Sequence, residues 1–114
     1  MWYKSVKKVY SPVLRADVIF NSKGFRHILY DGTGTLRSRE ERVKRLILIR
    51  HAPGIIRSAV DIYWRRKTGT VEFIVFRRNV RNSNAKLILM RVIIRKTISG
   101  NYFYYSVMKE SDKQ

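Results

Sequence analysis

The pattern of apolar and polar positions changes period midway along the chain. Residues 17 to 20, Asp-Val-Ile-Phe, form a short apolar run. Asn21 and Ser22 then offer side-chain oxygens that can accept an unpaired first-turn amide. They predict a short helix from about 22 to 30. In it Phe25, Ile28 and Leu29 fall on one side and Arg26 and Tyr30 on the other, while Gly24 works against it. Residues 31 to 35, Asp-Gly-Thr-Gly-Thr, read as a turn. Ser38 and Glu41 have capping-box spacing, so a second helix is predicted from about 39 to 50. Val43, Leu46, Ile47 and Arg50 form its inner stripe. Arg39, Arg42 and Arg45 recur every three residues as a basic stripe beside it. Pro53 suits the first position of a further short helix through Ile55, Ile56 and Ser58.

From Val60 the period becomes that of strands. Segments 60 to 66, 70 to 78, 85 to 96 and 102 to 108 are rich in Val, Ile, Phe and Tyr. Lys67-Thr68-Gly69, the polar loop 79 to 84 and Ser99-Gly100-Asn101 separate them. Helices followed by consecutive strands predict an α+β fold, with two or three N-terminal helices packed on a four-stranded antiparallel β-meander. The chain reads as a single domain over 1–114. Its core spans about 14–109, with a short basic N-terminal arm and a polar C-terminal tail.

Charge changes this picture. The 114 residues carry 25 Lys and Arg against 8 Asp and Glu, a net charge of +17. Self-repulsion of that size destabilises a compact state, and the usual compensation is a polyanionic partner. RNA, such as tRNA or mRNA, is the expected partner. The hydrophobic fraction of 45% is that of a globular protein and argues against disorder. No cysteine is present, which excludes disulfides, thiol catalysis and zinc knuckles. No apolar run of signal-peptide or transmembrane length occurs, so a cytoplasmic protein with no membrane partner is expected.

The third predicted strand carries the most informative alternation. Ile88, Met90, Val92 and Ile94 point one way and can pack under helices, while Arg91 and Arg95 point the other. Four residues apart on a strand, the two arginines lie about 13 Å apart, which suits successive phosphates. The next strand, Tyr102-Phe103-Tyr104-Tyr105-Ser106, supplies rings, among them Tyr104, on which bases can stack. Aromatics on one of its faces must still be core. His27 and His51 are the only histidines. Histidine is the usual proton carrier for phosphodiester cleavage through the 2′-hydroxyl, which needs cations on the phosphate but no metal. His27 is the better candidate, because His51 reads as a charge partner for a helix C-terminus. The carboxylates are scattered, no pair has two-metal spacing, and neither metal nor cofactor is expected.

Several short motifs resemble the barnase–EndoU–colicin–RelE superfamily of small metal-independent ribonucleases, and its phage-associated branch most closely. They are Phe25-Arg-His-Ile28, Leu36-Arg-Ser-Arg-Glu-Glu-Arg42, Pro53-Gly-Ile-Ile56, Val92-Ile-Ile-Arg95 and Gly100-Asn-Tyr-Phe-Tyr-Tyr-Ser106-Val. The resemblance implies helices on a four-stranded sheet with RNA on the open face, and an endoribonuclease, in many members a toxin; a further alternative is an interaction protein whose positive face meets an acidic partner such as an inhibitor protein. It implies His27 as acid or base, with Arg37 and Arg42 flanking the helix entrance. Arg95 would bind the scissile phosphate and Ser106 would position it. The chain departs from that pattern where a second His is expected near Phe103. The departure points to an altered mechanism or to an inactive binding descendant. Together with the pattern, the expected catalytic set is His27, Arg42, Arg95 and Ser106. The expected RNA contacts are Arg37, Arg39, Arg45, Arg91 and Tyr104. The alternative is a non-catalytic RNA- or DNA-binding module on the same basic aromatic sheet. On the nuclease reading, total RNA is cleaved in EDTA, and His27→Ala and Arg95→Ala abolish the cleavage.

Overall fold

A computed structural model describes residues 7–31, 33–81 and 84–110, with backbone alone for residues 22, 23, 25 and 27. Two short strands open it, β1 (Lys8–Ser11) and β2 (Ala16–Ile19), paired antiparallel. The link reverses because Arg15 takes a left-handed φ of 56° and its amide donates to the Ser11 carbonyl at 2.8 Å. Helix α1 (Ser22–Leu29) follows, and the Asn21 side chain accepts from the Gly24 amide at 3.3 Å. Helix α2 (Arg39–Ile49) starts where Ser38 Oγ accepts from the Glu41 amide at 3.2 Å. Helix α3 (Ala52–Ser58) continues it through Arg50 and His51. Pro53 has no N–H to donate and crowds the preceding turn, which bends α2 and α3 as one helix of 20 residues.

Strands β3 (Trp64–Thr68), β4 (Val71–Arg81), β5 (Leu87–Lys96) and β6 (Tyr102–Lys109) complete the chain. All six strands form one sheet in the order β1-β2-β6-β5-β4-β3. The pairing of β2 with β6 is parallel, Val18 opposite Tyr102, and the others are antiparallel. This corrects the expected architecture. The sheet is six-stranded and mixed rather than a four-stranded antiparallel meander. The helices are not N-terminal but lie between β2 and β3, and the two predicted after residue 38 are one bent helix. The physical reason is the first hairpin. Val9 and Val18 are buried in the core, and hydrogen bonding to β6 is the way to bury them there.

Among the described residues, helices pack on only one face of the sheet. Val18, Ile74, Phe76, Met90, Val92, Ile94, Tyr104 and Val107 line that face. They pack against Phe20, Ile28, Ile49, Ala52, Ile55 and Ile56. Phe20 stacks on Tyr104 with ring centroids 4.8 Å apart and planes within 4°. A β-bulge at Tyr105 makes this packing fit. Ile94 faces Tyr104 but Ile93 faces Ser106, so Tyr105 is an extra residue between them. The bulge turns Tyr104 and Val107 both inward, which strict alternation forbids. Tyr104 was expected among the RNA contacts; it is 3% exposed and belongs to the core instead.

Helix α2 also faces the core differently from its predicted stripe. Ile49 is buried and Leu46 packs beside it, whereas Val43 and Ile47 are exposed. Arg42 and Arg45 are half-buried. The largest fully buried side chain is Phe76, at the centre of β4. Phe76→Ala is expected to lower the unfolding free energy by about 3–5 kcal/mol, read from urea melts. A loss under about 1 kcal/mol would show that the core does not close around this ring.

Candidate nucleic-acid interface

The uncovered face is assembled by register. Reading across the strands, Arg66 lies opposite Phe73, Phe73 opposite Arg95, and Arg95 opposite Phe103. The same row continues through Ile19 on β2 to Lys8 on β1. Cations and rings therefore alternate, one strand spacing of about 4.8 Å at a time. Tyr105, turned outward by the bulge, meets Phe73 edge-on with centroids 5.3 Å apart. Trp64 is exposed on the neighbouring row. Lys8 pairs loosely with Asp17 at 3.6 Å. Among the described residues Arg66 and Arg95 make no ion pair.

A second group of cations on this face is tied down. Arg77 and Arg91 are directly opposite each other on β4 and β5. Glu110, just past β6, receives hydrogen bonds from both. Arg77 donates through Nε and, at 3.1 Å, through Nη2, and Arg91 donates through Nε at 2.9 Å. The Tyr63 ring also lies against both guanidiniums, 4.4 and 5.3 Å from its centroid. The Glu110 carboxyl is held below the usual glutamate range. The Arg91 hydrogen bond is the main cause. Desolvation opposes it, and the Arg77 hydrogen bond and the two positive charges reinforce it.

The residues expected to form one site are divided between two layers. Arg95 and Arg91 lie on the open face, as the alternation predicts, but Arg91 is engaged by Glu110. Ser106 is on β6 opposite Ile93 and is buried. Arg39, Arg42 and Arg45 belong to α2, in the helical layer. Arg39 is exposed, Arg45 pairs with Glu41 at 3.3 Å, and the buried Nε of Arg42 has no hydrogen-bond partner among the described residues. Arg37 precedes α2, and its amide donates to the Leu29 carbonyl at 2.7 Å. His27 is carried by α1, beside core residue Ile28; its side chain lies outside the described residues. The turn at Asp31 is closed by its own carboxylate, which accepts from the Thr33 hydroxyl and the Thr33 and Thr35 amides at 2.7, 2.9 and 3.0 Å. Those bonds, the Thr33 hydroxyl's first, hold its pKa low.

The pattern places the rings of the last strand beside Arg95 but does not single out Phe103 or Tyr105, and it misses Arg66 and Phe73. The two-residue turn at Gly69-Thr70 was the available signal, since it places Thr68 opposite Val71 and hence Arg66 opposite Phe73. Glu110 carried no such signal, because only the sheet brings it to Arg77. No protein-family model matches the chain, and neither a curated protein nor a solved structure does. Among the described residues, no three His, Cys, Asp or Glu gather as a metal site, and no helix is long and apolar enough to cross a membrane.

A group whose folded pKa is depressed stabilises the fold above its unfolded value and stops doing so as pH falls through the folded one. Wild type should therefore exceed Glu110→Gln in urea midpoint at neutral pH. The gap should close as pH drops below the ordinary glutamate value of 4.5. A gap independent of pH would mean that the carboxylate charge is not what Arg77 and Arg91 recognise.

Proposed function

We propose that the chain is a non-catalytic RNA-binding module that lays single-stranded RNA across the open face of its sheet. The observation that carries this reading is the row Arg66–Phe73–Arg95–Phe103, in which cations without an ion pair among the described residues alternate with rings. Guanidiniums hold phosphates through their forked donors, and rings take bases by stacking. Each stacked base contributes about 1–3 kcal/mol whatever its sequence, so the module is sequence-tolerant. The net charge of +17 steers the strand in and makes binding fall steeply with salt.

The two layers favour binding without cleavage. Cleavage through a 2′-hydroxyl needs a base, an acid and cations gathered around one phosphate. Arg95 extends from the open face, whereas α1, which carries His27, packs on the covered one. The resemblance to small ribonucleases then fits a binding relative that has kept the platform and given up the chemistry.

A short labelled single-stranded RNA should bind and stay intact in EDTA. The slope of log affinity against log salt should be about −0.7 for each phosphate neutralised, and Arg66→Ala and Arg95→Ala should each remove about one such unit. Phe103→Ala should weaken binding by about tenfold. Arg39→Ala, in the helical layer, should change affinity less than about twofold on the same salt argument. Equal losses from Arg39→Ala and Arg95→Ala would reduce the interface to net charge alone. Cleavage in EDTA that disappears in His27→Ala would replace the reading with a nuclease.

A further inference from the structure

The arginine pair on β4 and β5 poses a physical problem that the fold solves in a particular way. Like charges directly opposite on adjacent antiparallel strands repel and destabilise the pairing. Arg77 and Arg91 nonetheless sit opposite each other at the middle of the sheet. Both are engaged by one carboxylate, Glu110, with the Arg77 contact two-pronged. Two guanidiniums converging on a pair of oxygens is also the arrangement that takes a phosphate group.

We propose that Arg77, Arg91 and Tyr63 form a phosphate-binding site that Glu110 occupies in cis, so that this carboxylate is an internal competitor of the RNA backbone. The inference rests on the RNA-binding reading of the same face, and it adds a second anchoring point with its own control. Arg91 and Arg95 are four residues apart on β5, so the blocked site lies about 13 Å along the strand from the open one. Release of the site needs no strand to peel away. The Glu110 amide stays bonded to the Leu89 carbonyl at 2.8 Å, and rotation of the Glu110 side chain is enough. The side chains of Arg77 and Arg91 are 32% and 36% exposed, so an incoming oxygen can reach them. An open cleft of about 550 Å³ beside them, lined by Asp61, Tyr63, Arg77, Arg78, Asn79 and Leu89, leaves room for a phosphate and its sugar. Tyr63 lies against both guanidiniums and keeps the pair together once the carboxylate leaves.

The test compares wild type with Glu110→Gln, and with Glu110→Gln combined with Arg77→Gln. Inorganic phosphate and the labelled RNA are the two probes. Inorganic phosphate, against chloride at equal ionic strength, should raise the melting temperature of Glu110→Gln more than that of wild type. The added Arg77→Gln should remove that difference. A variant weakened by losing the carboxylate still reports, because ligand binding to the folded state rescues it. With RNA, Glu110→Gln should bind about tenfold more tightly than wild type, with a salt slope steeper by about 0.7. An equal phosphate effect in wild type and Glu110→Gln, with unchanged RNA affinity and slope, overturns the proposal. The two readings fail separately. If wild type does not bind RNA but Glu110→Gln takes up phosphate through Arg77, the blocked site stands and the RNA platform falls. If wild type binds RNA through Arg95 but Glu110→Gln changes nothing, the platform stands and the blocked site falls.

Discussion

Strand β6 holds the two parts of the sheet together, and the rest of the architecture depends on how its side chains are turned. On one edge it pairs in parallel with β2 and so carries the N-terminal hairpin; on the other it pairs antiparallel with β5. A regular strand would put Tyr104 and Ser106 on one face and Tyr105 and Val107 on the other. The core needs both Tyr104, which stacks on Phe20, and Val107, which packs opposite Val92. One extra residue at Tyr105 meets both needs. It also sends that ring to the outer face, where it meets Phe73. The same irregularity thus completes the core and furnishes the outer surface.

The division of the sheet into a sealed and an open face then governs what the positive charge can do. On the sealed side, Arg42 and Arg45 of α2 are half-buried, and Arg45 is offset by Glu41. On the open side, the charges fall into two states. Arg66 stands beside Phe73 and Arg95 between Phe73 and Phe103, both without an acidic partner among the described residues. Arg77 and Arg91 are satisfied by Glu110 and flanked by Tyr63. With so few acids in the chain, placing one between two arginines is a specific use of a scarce group.

Much of the local structure was legible before any coordinates. Asn21 and Ser38 marked the starts of α1 and α2 because their side chains can accept amides that the first turn leaves unpaired, and both do so. The alternation around Met90, Val92 and Ile94 against Arg91 and Arg95 predicted which residues of β5 go inward. The inner stripe of α2 differs from the expected Val43, Leu46, Ile47 and Arg50: Val43, Ile47 and Arg50 are exposed, while Arg42 and Arg45 are half-buried. The capping-box expectation was half met: Ser38 caps, but Glu41 turns to Arg45 instead of reaching back. The first hairpin is not legible in the sequence, because strands of four residues offer too short an alternation to stand out.

What the sequence determined by itself is local: where helices start, where the chain turns, and that an excess of positive charge must be accommodated. These follow from interactions between residues a few positions apart and from composition. The tertiary structure decided the rest: the parallel joining of β2 to β6, the bulge that moved Tyr104 inward, the row from Arg66 to Phe103, and the meeting of Glu110 with Arg77 across 33 positions of chain. Each depends on strand register and on which face the helices cover. Register is settled by the burial of the whole core at once, so no single segment carries the information.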